Sequence, residues 1–314
     1  MKRINSLIIS VAALALVATT CSTQDPLEKL SQESFKGKWG YIDREGNAII
    51  EPQFEQASDF SDGFAAVEIG EKRGYIDKTG KVAIDPRYNF SGDFSEGLAA
   101  VEIDDKWGYI DKTGKLVIKP QFEEAEKFSE GLANVKIEGK WGYIDKSGNI
   151  VIKPQYDIIG EFSEGLARVM IDGKCAYIDK TNNAAIKPQF DHGWPFRDGL
   201  AAVEISGKWG FIDKTGQMII KPQFLAADDF SEGVACVLME SMFGAKWGYI
   251  GKDGKMFLAP QFQWAGTFSE GLAVVKVSGK YGYMDKSGNM VIKPQYSEAW
   301  QFSEGLARVR ISDK

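Results

Sequence analysis

The chain of 314 residues has one histidine, His192, and three cysteines, Cys21, Cys175 and Cys236. A single His with no second His and no Cys beside it leaves no metal site of the usual zinc ligand sets. Cys175 and Cys236 lack CxxC spacing, and each stands where the repeat pattern described below has Trp or Ala. They therefore read as buried thiols filling core positions, not as a disulfide or metal ligands. Basic excess is also missing, with 38 Lys and Arg against 44 Asp and Glu and a formal charge of −6. Without clustered Lys and Arg there is no footprint for phosphate neutralisation, so no nucleic-acid partner is expected. No segment carries an apolar period of 3.6 residues, which excludes amphipathic helices. Neither a Ser-His nor a Cys-His arrangement occurs, so no enzyme activity and no cofactor are expected.

One long apolar run is present, and it lies at the N-terminus. Lys2 and Arg3 precede an apolar stretch from Ile4 to Ala18, and Thr19, Thr20 and Cys21 follow. That anatomy predicts an export signal over residues 1–20, too short and too closely followed by polar sequence for a membrane span. Ala18-Thr19-Thr20-Cys21 resembles the lipobox of bacterial lipoproteins, whose Cys becomes the lipidated first residue. Cys21 is thus the expected lipidation site, with residues 21–35 as tether and N-terminal cap. By the same resemblance Ser22 favours the outer membrane of the cell envelope; a periplasmic or secreted soluble form is the alternative. Removing residues 1–20 takes away Lys2 and Arg3 and no acid, so the charge of −6 becomes −8.

What the chain does have is a phrase, Lys-Trp-Gly-Tyr-Ile-Asp-Lys-x-Gly, recurring at a fixed stride. Its Trp stands at Trp39, Trp107, Trp141, Trp209 and Trp247, and degenerate copies carry Arg73, Cys175 and Tyr281 instead. Successive copies are 34 residues apart, except for one step of 38 where an insertion falls within Met239–Ala245. A fixed period of this size means repeat units that bury their apolar faces only against their neighbours.

Within one copy, Leu98–Ile103 is apolar and β-branched with Glu102 marking a solvent face, and reads as a strand. Asp104-Asp105-Lys106, elsewhere Glu-Gly-Lys or Ser-Gly-Lys, reads as a tight hairpin turn. Trp107–Asp111 is a second strand, whose Gly108 is expected to admit another backbone or a large ring. Asp111 is expected to accept backbone N–H groups as an Asx-type turn before Leu116–Ile118, a third strand that Pro120 should end. A looser segment pinned by Ala125 and Phe128 then leads to Ser129-Glu130-Gly131 and the next copy. The recurring Trp, Tyr and Phe read as core between repeats, and the recurring acids as structural.

The predicted fold is therefore all-β, built of eight three-stranded 34-residue repeats over residues 36–314. Strand counting bears on its shape. The first Trp strand and the last apolar strand, Leu306–Ile311, have no hairpin partner along the chain. Pairing them with each other closes a propeller-like toroid, the favoured form. An open β-superhelix, with Leu30–Phe35 capping the first repeat, is the alternative.

These features resemble the WG-repeat (KWG-repeat) family, common in bacterial proteins. The resemblance rests on Gly139-Lys140-Trp141-Gly142-Tyr143-Ile144-Asp145-Lys146-Ser147-Gly148, on Ile152-Lys153-Pro154-Gln155-Tyr156 and on Phe162-Ser163-Glu164-Gly165-Leu166-Ala167. It covers residues 36–314 and implies an often exported binding or interaction module; it brings no catalytic residues with it.

In a repeat protein, specificity is expected where the pattern breaks. Aligning the loose segments on their Phe, large aromatics four or two residues earlier occur as Phe90, His192, Trp194, Trp264 and Trp300. Loop aromatics suit binding surfaces, and Trp264 and Trp300, from adjacent repeats, are placed to share a face. The insertion adds Met242 and Phe243, residue types that adapt to varied surfaces. These seven residues are the candidate ligand-binding set. The expected function is an exported, lipid-anchored binding scaffold that displays its off-pattern loops to a protein, peptide or glycan of the cell envelope, touching membrane through its lipid anchor only. The rival readings are an envelope glycan hydrolase using Asp191 and Asp198 near Trp194, and a purely structural spacer.

Overall fold

The computed structural model describes residues 37–242 and 244–310. Cys21, the export signal, the 21–35 cap and Phe243 lie outside those residues. Strands fill the described chain in eight sheets, six with four strands and two with three. Each sheet is an antiparallel meander, and the eight form the blades of a β-propeller.

Blade three illustrates why this sequence folds this way. Its strands are Glu124–Ser129, Leu132–Ile137, Lys140–Asp145 and Ile150–Tyr156. The first is the segment that reads as loose in the sequence, and the structure makes it a fourth strand. Ala125 pairs with Val135 and Phe128 with Ala133, so Glu126 and Lys127 together oppose Asn134. This bulge explains the apolar spacing of three, which breaks the two-residue alternation of a regular strand. These first strands touch their counterparts in neighbouring blades, as Glu124–Ser129 touches Ile159–Ser163. In a ring of radiating sheets that places them innermost. In blades one and two the inner strand is reduced to bridges at Ala57, Ser61, Ser91 and Ser95.

The outer strand also differs from expectation, because Pro does not end it. Ile150–Tyr156 runs through Pro154, and between Ile152 and Tyr156 it bulges past Gly142 of the third strand. Pro tolerates that position because it lies on a sheet edge and in a bulge, where no ladder N–H is required. Gly142 is what the bulge requires in turn. A Cβ there would lie 2.5 Å from the Ile152 carbonyl oxygen and 2.7 Å from the Pro154 nitrogen. The close approach expected at this glycine is thus a backbone and not a ring.

Blades pack by inserting the repeated aromatics into the next sheet. Leu132, Tyr143, Ile152 and Tyr156 of blade three meet Ile159, Phe162, Ala167, Val169, Ala176 and Ile178 of blade four. The Tyr143 and Phe162 rings are 4.7 Å apart, and each such ring fully buried contributes roughly 1.5–3 kcal/mol. The Tyr143 hydroxyl is not stranded in this core, because it donates to the Gly160 carbonyl of the next blade at 2.6 Å. Tyr41, Tyr75, Tyr109, Tyr177, Tyr249 and Tyr283 repeat that bond. Cys175 and Cys236 are buried, free thiols, as their repeat positions imply.

The ring is closed. Trp39–Ile42 pairs antiparallel with Ala307–Arg310, joining the first Trp strand to the last apolar strand in one sheet with Ala48–Phe54 and Glu298–Ala299. Arg308 crosses from this sheet to blade one, bonding Asp59 at 2.7 Å and the Ala57 carbonyl.

Candidate functional site

The repeated acids come first, since they decide how much chemistry the scaffold leaves free. Each Asp of the Asp-Lys-x-Gly turn caps its own turn, as Asp145 accepts N–H bonds from Ser147 and Asn149, both at 2.9 Å. The Asn149 side chain, which also bonds this carboxylate, and then those backbone bonds hold the Asp145 carboxyl below its ordinary range. The acid of Ser-Glu-Gly is more unusual. Asp62, Glu96, Glu130, Glu164, Asp198, Glu232, Glu270 and Glu304 all have positive φ near 54°, a conformation costing about 1–2 kcal/mol outside glycine. In return each carboxylate accepts the Gly N–H of the next blade, from Asp62 to Gly97 round to Glu304 and Gly63. Lys146 then bonds Glu96 at 3.0 Å, and equivalent lysines serve Glu130, Glu164, Glu232 and Glu304. The recurring acids thus hold blade to blade.

The antiparallel meander gives the propeller two ends. Ser-Glu-Gly and Asp-Lys-x-Gly turns lie at one, and the hairpins between second and third strands at the other. Asp191 and Asp198 are consequently not brought together. Asp198 bonds Gly233 in the first ring. Asp191 lies at the hairpin end, where it accepts from Lys174 at 2.6 Å and from the Ser206 N–H at 2.7 Å. The Lys174 bond and the Ser206 N–H lower the Asp191 carboxyl's pKa, the reverse of what a general acid needs.

The off-pattern aromatics occupy different seams. Trp194 is partly buried, stacked on Trp209 at 6.0 Å with Arg168 5.7 Å from its ring, and its buried indole N–H has no hydrogen-bond partner among the described residues. Trp264 packs edge-on to Tyr281 at 5.9 Å against the core of the seam between blades seven and eight. Trp300 lies under Arg308 at 4.3 Å against the core between blades eight and one. Trp264 and Trp300 therefore do not form one face. Phe90 is partly buried. His192 is exposed at the hairpin end, its Nε2 3.9 Å from Glu204. Met242, in the inserted hairpin, is 91% exposed.

Two groupings escaped the sequence reading. Asp228 and Asp229 are adjacent acids whose pKa values burial pushes up, Asp229 further because Asp228 lies beside it, and Asp229 Oδ1 is shielded with no hydrogen-bond partner among the described residues. The second is a shallow groove of about 250 Å³ at the hairpin end of blades six and seven, lined by Lys246, Gln261, Gln263, Lys276, Val277 and Ser278. Its signal in the sequence was a lost acid and not an added aromatic. Lys38, Lys140 and Lys174 bond Glu55, Asp157 and Asp191, each 17 residues on; the residue equivalent to those acids for Lys246 is Gln263.

Eight consecutive segments, residues 39–72, 74–107, 107–141, 141–175, 176–209, 209–241, 247–281 and 281–314, match the WG containing repeat. The chain belongs to the WG-repeat family. No curated protein sequence matches it. Among solved structures, this WG-repeat chain is similar to a eukaryotic initiation factor, at 11% identity and a TM-score of 0.54 over 84% of this chain and 87% of that one. It is also similar to the dihydro-heme d1 dehydrogenase NirN in complex with DHE, at 11% identity and a TM-score of 0.51 over 94% and 76%. At such identities the likeness is one of fold alone.

Proposed function

We propose that this WG-repeat propeller is an exported, lipid-anchored scaffold that works by binding, presenting its hairpin end to a partner in the cell envelope. The observation that carries this reading is the contrast between the two ends. At one end the repeated carboxylates and lysines are joined blade to blade around the ring. At the other lie exposed residues that break the pattern, His192 and the inserted hairpin with Met242. A repeated polar ring is scaffold, whereas exposed, non-repeated side chains supply specificity. Cys21 is the anchor, its acyl chains holding the protein at the membrane surface.

Two measurements test it. Fatty-acid labelling in the native host should mark the chain and be lost in Cys21→Ser; equal labelling of both removes the anchor. A photo-cross-linking residue at position 242 should give discrete adducts in cells, while one at position 146, in the opposite turns, should give none. Equal adducts from both positions, or none from 242, would overturn the display reading.

A further inference from the structure

The groove between blades six and seven is where the repeat breaks twice. One break is the hairpin insertion, which immediately precedes Lys246. The other is Gln263. In the equivalent place Asp191 does two things, pairing Lys174 of the preceding blade and capping the Ser206 N–H of its own hairpin. Gln263 keeps the second role, its Oε1 accepting the Gly279 N–H at 2.8 Å, and brings no charge to the first, so it cannot neutralise Lys246. Asn89, Leu225 and Ser297 also replace this acid, and the Asn89 amide oxygen still accepts from Lys72, but the groove lies at Gln263. Among the described residues Lys246 makes no ion pair. Lys276 lines the groove too, yet its ammonium is drawn 4.9 Å over the Tyr281 ring. Lys276 keeps its charge in that contact, and Lys246 is the ammonium whose repeat partner carries none.

We propose that this groove binds a sugar bearing one anionic group, an inference that rests on the display reading and names the ligand class at that end. The unbalanced ammonium selects an anion. The Gln261 and Gln263 carboxamides and the Ser278 hydroxyl supply both donors and acceptors, which is what sugar hydroxyls require. The volume of about 250 Å³ has room for one sugar ring. A carboxylate and a phosphate would both satisfy Lys246, and their sugars are the two probes.

The test is calorimetric titration of the full chain with glucuronate, glucose 6-phosphate and glucose. At least one of the anionic sugars should bind about tenfold tighter than glucose, and the preferred one identifies the anion. Gln263→Glu is the informative variant. It restores the acid that other repeats carry while keeping the hairpin cap, so it should fold normally and abolish the preference. Lys246→Gln should do the same, and Lys140→Gln, whose parent residue is already paired with Asp157, should not. Failure of both anions to bind, binding equal to glucose, or binding unchanged in Gln263→Glu would overturn the proposal. Cross-linking at position 242 that persists in Gln263→Glu would show that display stands independently of the sugar.

Discussion

Glycine does two separate jobs in this chain, and the residue scale separates them. Gly142 has no room for a Cβ, because the bulged outer strand crosses it at 2.5 Å. Gly139, in the hairpin turn, has open space around it but a φ of +76°. Gly142→Ala should therefore cost about 1–3 kcal/mol through steric displacement of backbone, and Gly139→Ala only about 1 kcal/mol through strain. Urea midpoints of the two variants check the ordering. Equal losses would mean that the outer strand relaxes freely around position 142. The sequence marks both residues as glycine; only the register of the bulge says which one is sterically required.

At the scale of the element, the Ser-Glu-Gly turn is a hairpin corner that carries the inter-blade bond. Partial burial works to raise the Glu96 carboxyl, but bonds from Lys146 and the Gly131 N–H outweigh it and hold it below its ordinary 4.5. Glu232 is likewise lowered, its burial outweighed by Gly271 and Lys286. A folded-state pKa below the unfolded one gives stability that is fully present above about 4.5 and is lost as pH falls through the folded value. Unfolding free energy should thus hold steady from pH 7 to 5 and decline below 4.5. Glu96→Gln with Glu232→Gln should cost about 1 kcal/mol each at pH 7, since the pairs are partly exposed, and flatten the acid limb. Denaturant curves at pH 7, 5 and 3.5 provide the check; an unchanged acid limb would show that these carboxylates do not hold the blades.

For the whole molecule, closure rests on the sheet that pairs Trp39–Ile42 with Ala307–Arg310. Arg308 bonds Asp59 across it at 2.7 Å and stacks between Trp300 and Trp39 at 4.3 and 5.2 Å. Burial raises the Asp59 carboxyl above its ordinary range against the opposing pull of Arg308, so the arginine is the charge partner of this acid in a confined place. Arg308→Met should cost about 2–4 kcal/mol by leaving that carboxylate unpaired. Adding Asp59→Asn should recover part of the loss. A single mutant as stable as the parent in urea would mean that backbone pairing of Trp39–Ile42 with Ala307–Arg310 alone closes the ring.

Much of this was legible in the chain. The stride of 34, the Gly and Asp turn positions and the aromatic core follow from local chemistry repeated in register, and the unpaired first and last strands foretold closure. The inner strand was not legible, because its bulge spaces Ala125 and Phe128 by three and hides the alternation. Nor was the continuation of the outer strand through Pro154, which depends on Gly142 in a neighbouring strand. At the candidate site, sequence could mark Trp264 and Trp300 as unusual but not assign them to separate seams, since a side chain's seam is set by strand pairing. It could not see the groove at Lys246, whose lining comes from two blades, nor that the residue 17 positions away, brought alongside by folding, offers that lysine no charge. Periodicity determined the units and their number; cross-strand register and the packing of blade on blade decided which of their side chains were left free.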